Sequence, residues 1–120
     1  MKLLIVGSRN FNNLKLMISE YTKLTQKYNI TEIVSGGAKG ADLLGEQIAK
    51  LFKLKVIRFL PDWNKYGKKA GILRNIEMGD YCDIALIFWD GKSKGTKHMI
   101  DYLKKINKKF ILVEFNNDKR

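Results

Sequence analysis

The fold of this chain is decided by ITEIVSGGAKGADLLGEQIAKL, residues 30–51, where an apolar strand-like run passes through glycines into a helix-like run. The strand-like part is 30–34 and the helix-like part is 43–51. The glycine-rich part between them, SGGAKGAD at 35–42, leaves backbone N–H groups free at the positive end of a helix dipole, which favours anions. Glycine lets a phosphate approach the main chain and tolerates positive φ. The pattern predicts a phosphate-bearing ligand at the carboxyl edge of a parallel sheet.

The rest of the chain repeats this alternation of strands and helices. The predicted strands are short and rich in β-branched or aromatic residues, at residues 2–6, 32–34, 55–59, 84–88 and 110–115. Helical periodicity lies between them, with Asn12 or Asn13 as the cap of the first helix. The alternation predicts an α/β fold, a single Rossmann-like three-layer sandwich with a mainly parallel sheet of about five strands. We expect one domain at 1–115 and a flexible tail at 116–120.

Composition excludes several classes of protein. The 120 residues are 45% hydrophobic and 11% aromatic, as in folded globular proteins rather than disordered ones. No apolar run approaches the length of about 20 residues that spans a bilayer. The lone Cys82 excludes a disulfide framework within the chain and favours a reducing cytosol, so a cytoplasmic location is expected. No His, Cys or carboxylate cluster has metal-ligand spacing, so neither a metal nor a cofactor is expected.

The net charge of +11 is large for a chain of this size. Such a charge attracts polyanions, whether nucleotides or nucleic acid. The lysines are nevertheless spread over positions that we expect on solvated helix faces and turns. Solubility is therefore the simpler explanation, and nucleic acid stays open as a partner.

Four loops follow predicted strands and should meet at one edge of the sheet, where α/β proteins bind their ligands. They are residues 7–10, 35–42, 61–67 and 89–96. The loops at 35–42 and 89–96 are both glycine-rich and both precede a helix, so they can hold one phosphate from two sides. Neither contains a Walker A motif or a dinucleotide fingerprint.

The segment between these glycine loops supplies rings and a guanidinium. Trp63 and Tyr66 can stack on a base, or they can simply cover the edge of the sheet. Arg74 can hold a phosphate or carboxylate, or it can pair with Asp80 or Asp83.

Three other residues have simpler alternatives to a ligand role. Asp42 can hold ribose hydroxyls, orient a neighbouring basic group, or serve only in the first turn of its helix. His98 has no obvious acid partner, which favours a solvated or capping role over catalysis. Cys82 has no histidine near it in sequence and is expected in the core.

Five motifs, in order along nearly the whole chain, together resemble the YspA-like branch of the SLOG superfamily. They are GSR at 7–9, VSGGAKGAD at 34–42, DW and YGKKAG within 62–71, RNxxM at 74–78 and FWDGxSxGT at 88–96. SLOG domains include the LOG phosphoribohydrolases, molybdenum-cofactor carrier-like proteins and DprA. The resemblance implies a Rossmann-like fold and a nucleotide or nucleotide-derived ligand, bound as a sensor or as a substrate. It also leaves a homo-oligomer open.

One departure from the phosphoribohydrolases weighs against hydrolysis. Those enzymes carry a catalytic Glu shortly after Gly-Thr, whereas here Gly-Thr at 95–96 is followed by KHMI. Cleavage of an N-glycosidic bond passes through an oxocarbenium-like state that a carboxylate stabilises. Glu46, Glu77 or Asp90 can substitute, and Glu77 and Asp90 are the candidate catalytic residues.

The sequence thus predicts a nucleotide-binding module. A phosphoribohydrolase-like enzyme and single-stranded nucleic-acid binding are the alternatives. The predicted ligand-binding residues are Gly7, Ser8, Arg9, Ser35, Gly36, Gly37, Gly40, Asp42, Trp63, Tyr66, Arg74, Asn75, Asp90, Gly91, Ser93, Gly95 and Thr96.

Overall fold

The computed structural model describes residues 1–116 and contains a five-stranded sheet in which all neighbouring strands are parallel. The strands are β1 Lys2–Gly7, β2 Glu32–Ser35, β3 Lys55–Arg58, β4 Ile84–Trp89 and β5 Phe110–Glu114. Their order across the sheet is β3-β2-β1-β4-β5. The chain therefore reverses its direction of winding between β1 and β4, which is the switch point where such sheets bind ligands.

Helices cover both faces of the sheet. They are α1 Leu14–Thr25, α2 Ala41–Phe52, α3 Trp63–Tyr66, α4 Ala70–Tyr81 and α5 Lys94–Lys105, with a 3₁₀ helix at Gly67–Lys69. Asn13, rather than Asn12, caps α1, since its side chain accepts a hydrogen bond from the N–H of Leu16 at 3.0 Å. None of the described helices is long and apolar enough to cross a membrane.

The central strand β1 shows how the sequence builds two cores. Leu3 and Ile5 point into the core that α1 and α2 cover, whereas Leu4 and Val6 point into the core that α4 and α5 cover. All four side chains are buried. This period-two alternation of apolar residues on both faces gives the three-layer sandwich that the sequence predicted.

The predicted element boundaries need small corrections. Each strand ends within one residue of its predicted end, but α2 begins at Ala41, two residues before its predicted start. Gly79 lies where α4 packs against α5. A Cβ at this position would lie 2.8 Å from the ring of Tyr102, so the close packing of the two helices requires glycine there. The single-domain boundary stays a prediction, and most of the predicted tail, residues 117–120, lies outside the described residues.

Candidate functional site: a cleft at the carboxyl edge of the sheet

A cleft of about 640 Å³ lies at the carboxyl edge of the sheet. Gly7, which ends β1, and Asp90, which follows β4, both line the cleft. The other lining residues come from β1, from the loops after β1, β2 and β4, from α2, α3 and the 3₁₀ helix, and from α4 and α5. The cleft therefore lies at the switch point of the sheet, and its volume suits a small-molecule ligand.

Asp42 lines the cleft from the first turn of α2. Only 4% of its surface is exposed, and its Oδ2 accepts a hydrogen bond from the N–H of Ala38 at 3.3 Å. Burial raises the pKa of Asp42 to about 6, although the N–H groups of Ala38 and Gly7 and the charge of Arg74 act in the opposite direction. The anion at the start of α2 is therefore a carboxylate of the chain itself.

Arg74 connects α4 to the loops after β2 and β3. Its Nη1 donates to the carbonyl oxygens of Gly36 at 2.8 Å and Phe59 at 3.4 Å, and its Nε donates to Oδ1 of Asn75 at 3.2 Å. Burial lowers the pKa of Arg74, and the nearby charge of Asp42 opposes that effect. The guanidinium therefore fixes the geometry of the cleft while adding positive charge to its lining.

The alternative role considered for Arg74, pairing with Asp80 or Asp83, is wrong. Asp80 accepts a hydrogen bond from the hydroxyl of Tyr102 at 2.5 Å. Asp83 accepts one from the backbone N–H of Lys2 at 2.8 Å. Both carboxylates thus have partners outside the cleft lining. Arg74 lies on the side of α4 that faces the edge of the sheet, where it lines the cleft.

The glycine loop after β2 is shaped by close packing. A Cβ on Gly36 would lie 2.6 Å from both Nη1 of Arg74 and Oδ2 of Asp42. Gly40 has a φ of +83°, and a Cβ there would lie 2.4 Å from the carbonyl oxygen of Ser8. These glycines allow α2 to start against the loop after β1, and neither lines the cleft.

Ser35 stabilises this glycine loop through hydrogen bonds of its side-chain hydroxyl. It is fully buried, and its hydroxyl donates to the carboxylate of Glu46 at 2.7 Å while accepting the N–H of Gly37 at 3.0 Å. Glu46 also forms an ion pair with Arg58 at 2.6 Å, and these partners lower its pKa against the effect of burial. The carboxylate of Glu46 is therefore already bound by Ser35 and Arg58.

The loop after β4 is fixed by Asp90 and Ser8. The Oδ1 of Asp90 accepts the N–H groups of Lys92 at 2.8 Å and Ser93 at 2.9 Å, and these hydrogen bonds lower the pKa of Asp90. The Oγ of Ser8 accepts the backbone N–H of Asp90 at 3.0 Å. Ser8 thus joins the loops after β1 and β4 at the switch point.

Helix α5 presents its amino-terminal end to the cleft. Its cap residue is Ser93, whose Oγ accepts the N–H of Thr96 at 3.4 Å, and the N–H of Lys97 donates to the carbonyl of Ser93. The N–H groups of Lys94 and Gly95 precede that first intrahelical hydrogen bond and have no acceptor within the helix. A Cβ on Gly95 would meet no atom within 4 Å. This helix end is therefore open to an anion.

Asn75 and His98 join α4 to α5 beside this helix end. The Nδ2 of Asn75 donates to the carbonyl of Gly95 at 3.2 Å and lies 3.2 Å from Nδ1 of His98. With Nδ1 as the acceptor, the proton of a neutral His98 ring is on Nε2. The sequence favoured a solvated or capping role for His98, but the structure places this half-buried ring in the cleft wall.

Positive charge dominates the lining of the cleft. The cationic side chains are Arg9, Lys68, Arg74 and Lys94. The carboxylates in the lining are Asp42 and Asp90, and both already accept backbone N–H groups. The cleft is therefore suited to an anionic ligand.

An apolar edge completes the cleft. Trp63 and Ile72 both line it and are 55% and 49% exposed, and the ring of Trp63 lies against Gly71. Tyr66 is outside the lining, and the ammonium of Lys65 lies over its ring at 5.2 Å from the centroid. Of the two rings considered for base stacking, the geometry favours Trp63.

Of the three carboxylates proposed as substitutes for the missing glutamate, Asp90 is the one that lines the cleft. Glu46 is paired as described above, Glu77 is exposed on α4 outside the cleft lining, and Asp90 is held in a turn. Cys82 is buried in the core as expected, where burial raises its pKa to about 11. Among residues 1–116, no group of three His, Cys, Asp or Glu side chains is arranged to hold a metal.

The structure divides the predicted ligand-binding residues into two sets. Those that line the cleft are Gly7, Arg9, Asp42, Trp63, Arg74, Asn75, Asp90, Ser93, Gly95 and Thr96. Those outside its lining are Ser8, Ser35, Gly36, Gly37, Gly40, Tyr66 and Gly91. The other lining residues were not among the predicted ligand-binding residues; they include Asn10, Ala38, Lys68, Ile72, Lys94 and His98. Asn10, Ala38 and Lys94 nevertheless belong to loops that the sequence placed at this edge. Direct contact of any of these residues with a ligand stays a prediction.

The sheet order and the cationic cleft define a Rossmann-like α/β domain with a candidate site for an anionic ligand. Residues 1–66 match the model of the YspA, cpYpsA-related SLOG family, and this stretch is more than half of the chain. The chain belongs to this family, which confirms the resemblance seen in its motifs. The match includes the loops after β1 and β2 and ends before α4 and α5.

A phage protein is similar to part of the chain. The Gene 61 protein of Mycobacterium phage D29 is 42% identical over 72 residues, which are 55% of this chain and 58% of the phage protein. The chain thus spans less than two thirds of that relative. No solved structure matches the chain.

Proposed function

We propose that the cleft binds a nucleotide or nucleotide-derived ligand with a phosphate at the start of α5. The observation that carries this proposal is the open helix end, where the N–H groups of Lys94 and Gly95 have no acceptor within the helix. Arg9 and the side chain of Lys94 add positive charge in the same cleft. Membership of a SLOG family supports a nucleotide-related ligand.

The other end of the ligand has an apolar surface available. Trp63 and Ile72 expose about half of their surface at the edge of the cleft, and a purine or pyrimidine ring can bury apolar area against them. A volume of about 640 Å³ lies within the range of small-molecule sites.

The glycine loop after β2 is the less favourable place for the phosphate. Its carboxylate, Asp42, already accepts N–H groups at the start of α2. A phosphate placed about 4 Å from an ionised Asp42 would be opposed by about 1–4 kcal/mol per unit charge, depending on the local dielectric. We therefore place the phosphate on the α5 side rather than between the two glycine loops.

Gly95→Leu is expected to weaken binding at least tenfold while leaving the fold intact. Space beyond Gly95 is open, so a leucine side chain fits without displacing protein atoms but occupies the phosphate position. Leucine also stabilises a helix relative to glycine by about 0.5–1 kcal/mol, so the free energy of unfolding should not fall. Calorimetry against mononucleotides, ADP-ribose and cyclic dinucleotides should show binding to the wild type that weakens at least tenfold in the variant.

Charge at the helix end provides a second comparison. Lys94→Gln should weaken binding of the same ligand about three- to tenfold, because one lining cation is removed. Lys50→Gln removes the same charge from the exposed surface of α2 and serves as the matched control. Equal weakening by both variants would indicate a diffuse effect of net charge. Absence of binding across the whole panel, or unchanged binding by Gly95→Leu, would contradict the proposed site.

A further inference from the structure

The two carboxylates in the cleft lining are held very differently. Asp90 accepts two short hydrogen bonds, from the N–H groups of Lys92 at 2.8 Å and Ser93 at 2.9 Å. Asp42 is 4% exposed, and the N–H of Ala38 donates to its Oδ2 at the longer distance of 3.3 Å. Asp42 is thus the more deeply buried carboxylate, and its backbone donors are the N–H groups of Ala38 and Gly7.

No ion pair compensates Asp42. Within residues 1–116, no Lys, Arg or His nitrogen lies within 4.0 Å of its carboxylate oxygens. Arg74 is close, but its Nη1 donates to the carbonyls of Gly36 and Phe59, and Glu46 adds charge of the same sign as Asp42. Burial of a carboxylate without a close cation is unfavourable unless hydrogen-bond donors replace the lost water. Burial raises the pKa of Asp42, and the N–H groups of Ala38 and Gly7 only partly offset that effect.

We propose that Asp42 accepts hydrogen bonds from the vicinal hydroxyls of a ribose, which makes the cleft selective for ribonucleotides over 2′-deoxyribonucleotides. The inference rests on the proposed function, with the phosphate at the start of α5. It assigns to Asp42 two further donors beside the N–H groups of Ala38 and Gly7.

Hydroxyls fit this site better than a cationic group of the ligand. An amine also donates hydrogen bonds, but Arg9, Lys68, Arg74 and Lys94 line the same cleft and would repel it. Sugar hydroxyls are neutral donors carried by an anionic ligand. A cis diol offers two of them, and a carboxylate has two oxygens with spare lone pairs to accept both.

The spacing of the sheet also suits this arrangement. Asp42 follows β2 and the start of α5 follows β4, with β1 between them. Neighbouring strands are about 4.8 Å apart, so the ends of β2 and β4 are about 10 Å apart along the edge of the sheet. The terminal phosphate of a nucleoside diphosphate lies at a distance of this order from its ribose hydroxyls.

The test compares ADP, GDP, CDP and UDP with their 2′-deoxy counterparts on the wild type and on Asp42→Asn. For the diphosphate that binds most tightly, we expect the wild type to prefer the ribose form at least about tenfold, the effect of a hydrogen bond to a charged acceptor. In Asp42→Asn the preference should fall to within about twofold, since the amide has one acceptor oxygen instead of two. Inorganic pyrophosphate is the phosphate-only probe, and its affinity should not fall in the variant.

The outcomes separate this inference from the proposed function. Equal affinity for ribose and deoxyribose forms in the wild type, or a preference that survives in Asp42→Asn, overturns the role of Asp42 and leaves the phosphate site standing. If neither pyrophosphate nor any diphosphate binds the wild type, both proposals are wrong. Loss of pyrophosphate binding in Asp42→Asn would show that Asp42 holds the architecture of the cleft, which also overturns the inference.

Discussion

Asp42→Asn is expected to stabilise the unliganded protein at neutral pH by about 1–3 kcal/mol, an unusual result for a substitution at a residue that is only 4% exposed. The pKa of Asp42 is raised from 3.8 to about 6 because burial disfavours the charged form. The ionised carboxylate is therefore a cost to the folded state. Asparagine removes the charge and keeps an oxygen that can accept the N–H of Ala38.

The contribution of Asp42 to stability depends on pH in a definite direction. Between about pH 4 and 6 the folded protein binds the Asp42 proton more tightly than the unfolded chain does, so this group favours folding at low pH. That contribution is lost as the pH rises through about 6. The stability difference between Asp42→Asn and the wild type should therefore be largest at pH 7.5 and disappear near pH 4. Urea unfolding at four pH values between these limits measures it.

Asp90→Asn is the matched control for this series. Hydrogen bonds from Ser93 and Lys92 lower the pKa of Asp90, so its charged form stabilises the fold at neutral pH. The asparagine variant should be less stable than the wild type at pH 7.5, and the difference should shrink as the pH falls through the pKa of Asp90. The two substitutions are thus expected to change the free energy of unfolding at neutral pH in opposite directions. A destabilising effect of Asp42→Asn that does not vary with pH would contradict our account of Asp42 as an under-compensated charge.

Gly40→Ala is expected to lower the free energy of unfolding by at least about 3 kcal/mol, a large part of the total stability of a small domain. Gly40 has φ +83° and ψ −127°, a conformation that side chains strongly disfavour. The added Cβ would also lie 2.4 Å from the carbonyl of Ser8 and 2.5 Å from that of Arg9. The Ser8 carbonyl cannot easily move away, since it accepts the N–H of Ala41.

Gly67→Ala separates backbone strain from steric overlap. Gly67 also has a positive φ, +57°, but a Cβ there meets nothing within 4 Å. Because its ψ of −134° is close to that of Gly40, we expect this variant to cost about 1–2 kcal/mol from backbone strain alone. Urea unfolding of both variants, with far-UV circular dichroism as the probe, provides the comparison. Equal costs for the two substitutions would show that contact between the loops after β1 and β2 does not constrain Gly40.

Much of the fold could be predicted because parallel strands buried on both faces leave a strong pattern. Short apolar runs separated by helical periods predict the alternation of strand and helix, and that alternation places the loops at one edge of the sheet. Ser93 and Gly95 could be assigned to this edge for the same reason. Their position follows from a strand, a loop and a helix in succession.

Side-chain direction within the loops was harder to predict. Ser35, Gly36 and Gly40 belong to the correct loop, but they lie outside the cleft lining because the positive φ of Gly40 turns the chain against the loop after β1. The sequence pattern shows which residues form a loop and does not show which way its groups point.

The residues that helices contribute depend on how each helix is rotated about its axis. The sequence did not identify Lys68 and Ile72 as cleft-lining residues, since their positions depend on how the 3₁₀ helix and α4 pack. His98 could have been found: it follows Gly95 by three residues and Lys94 by four, so these three share one face of α5. Its contact with Asn75 required the packing of α4 on α5.

The central claim is that α5, rather than the glycine loop after β2, receives the phosphate. The most direct test is a ¹H–¹⁵N NMR titration of the wild type with the nucleotide that binds most tightly. We predict that the backbone amides of Lys94 and Gly95 shift most, as expected for N–H groups that gain a phosphate acceptor. The largest shifts at residues 36–40, shifts spread over the exposed lysines, or no shifts at all would contradict the claim.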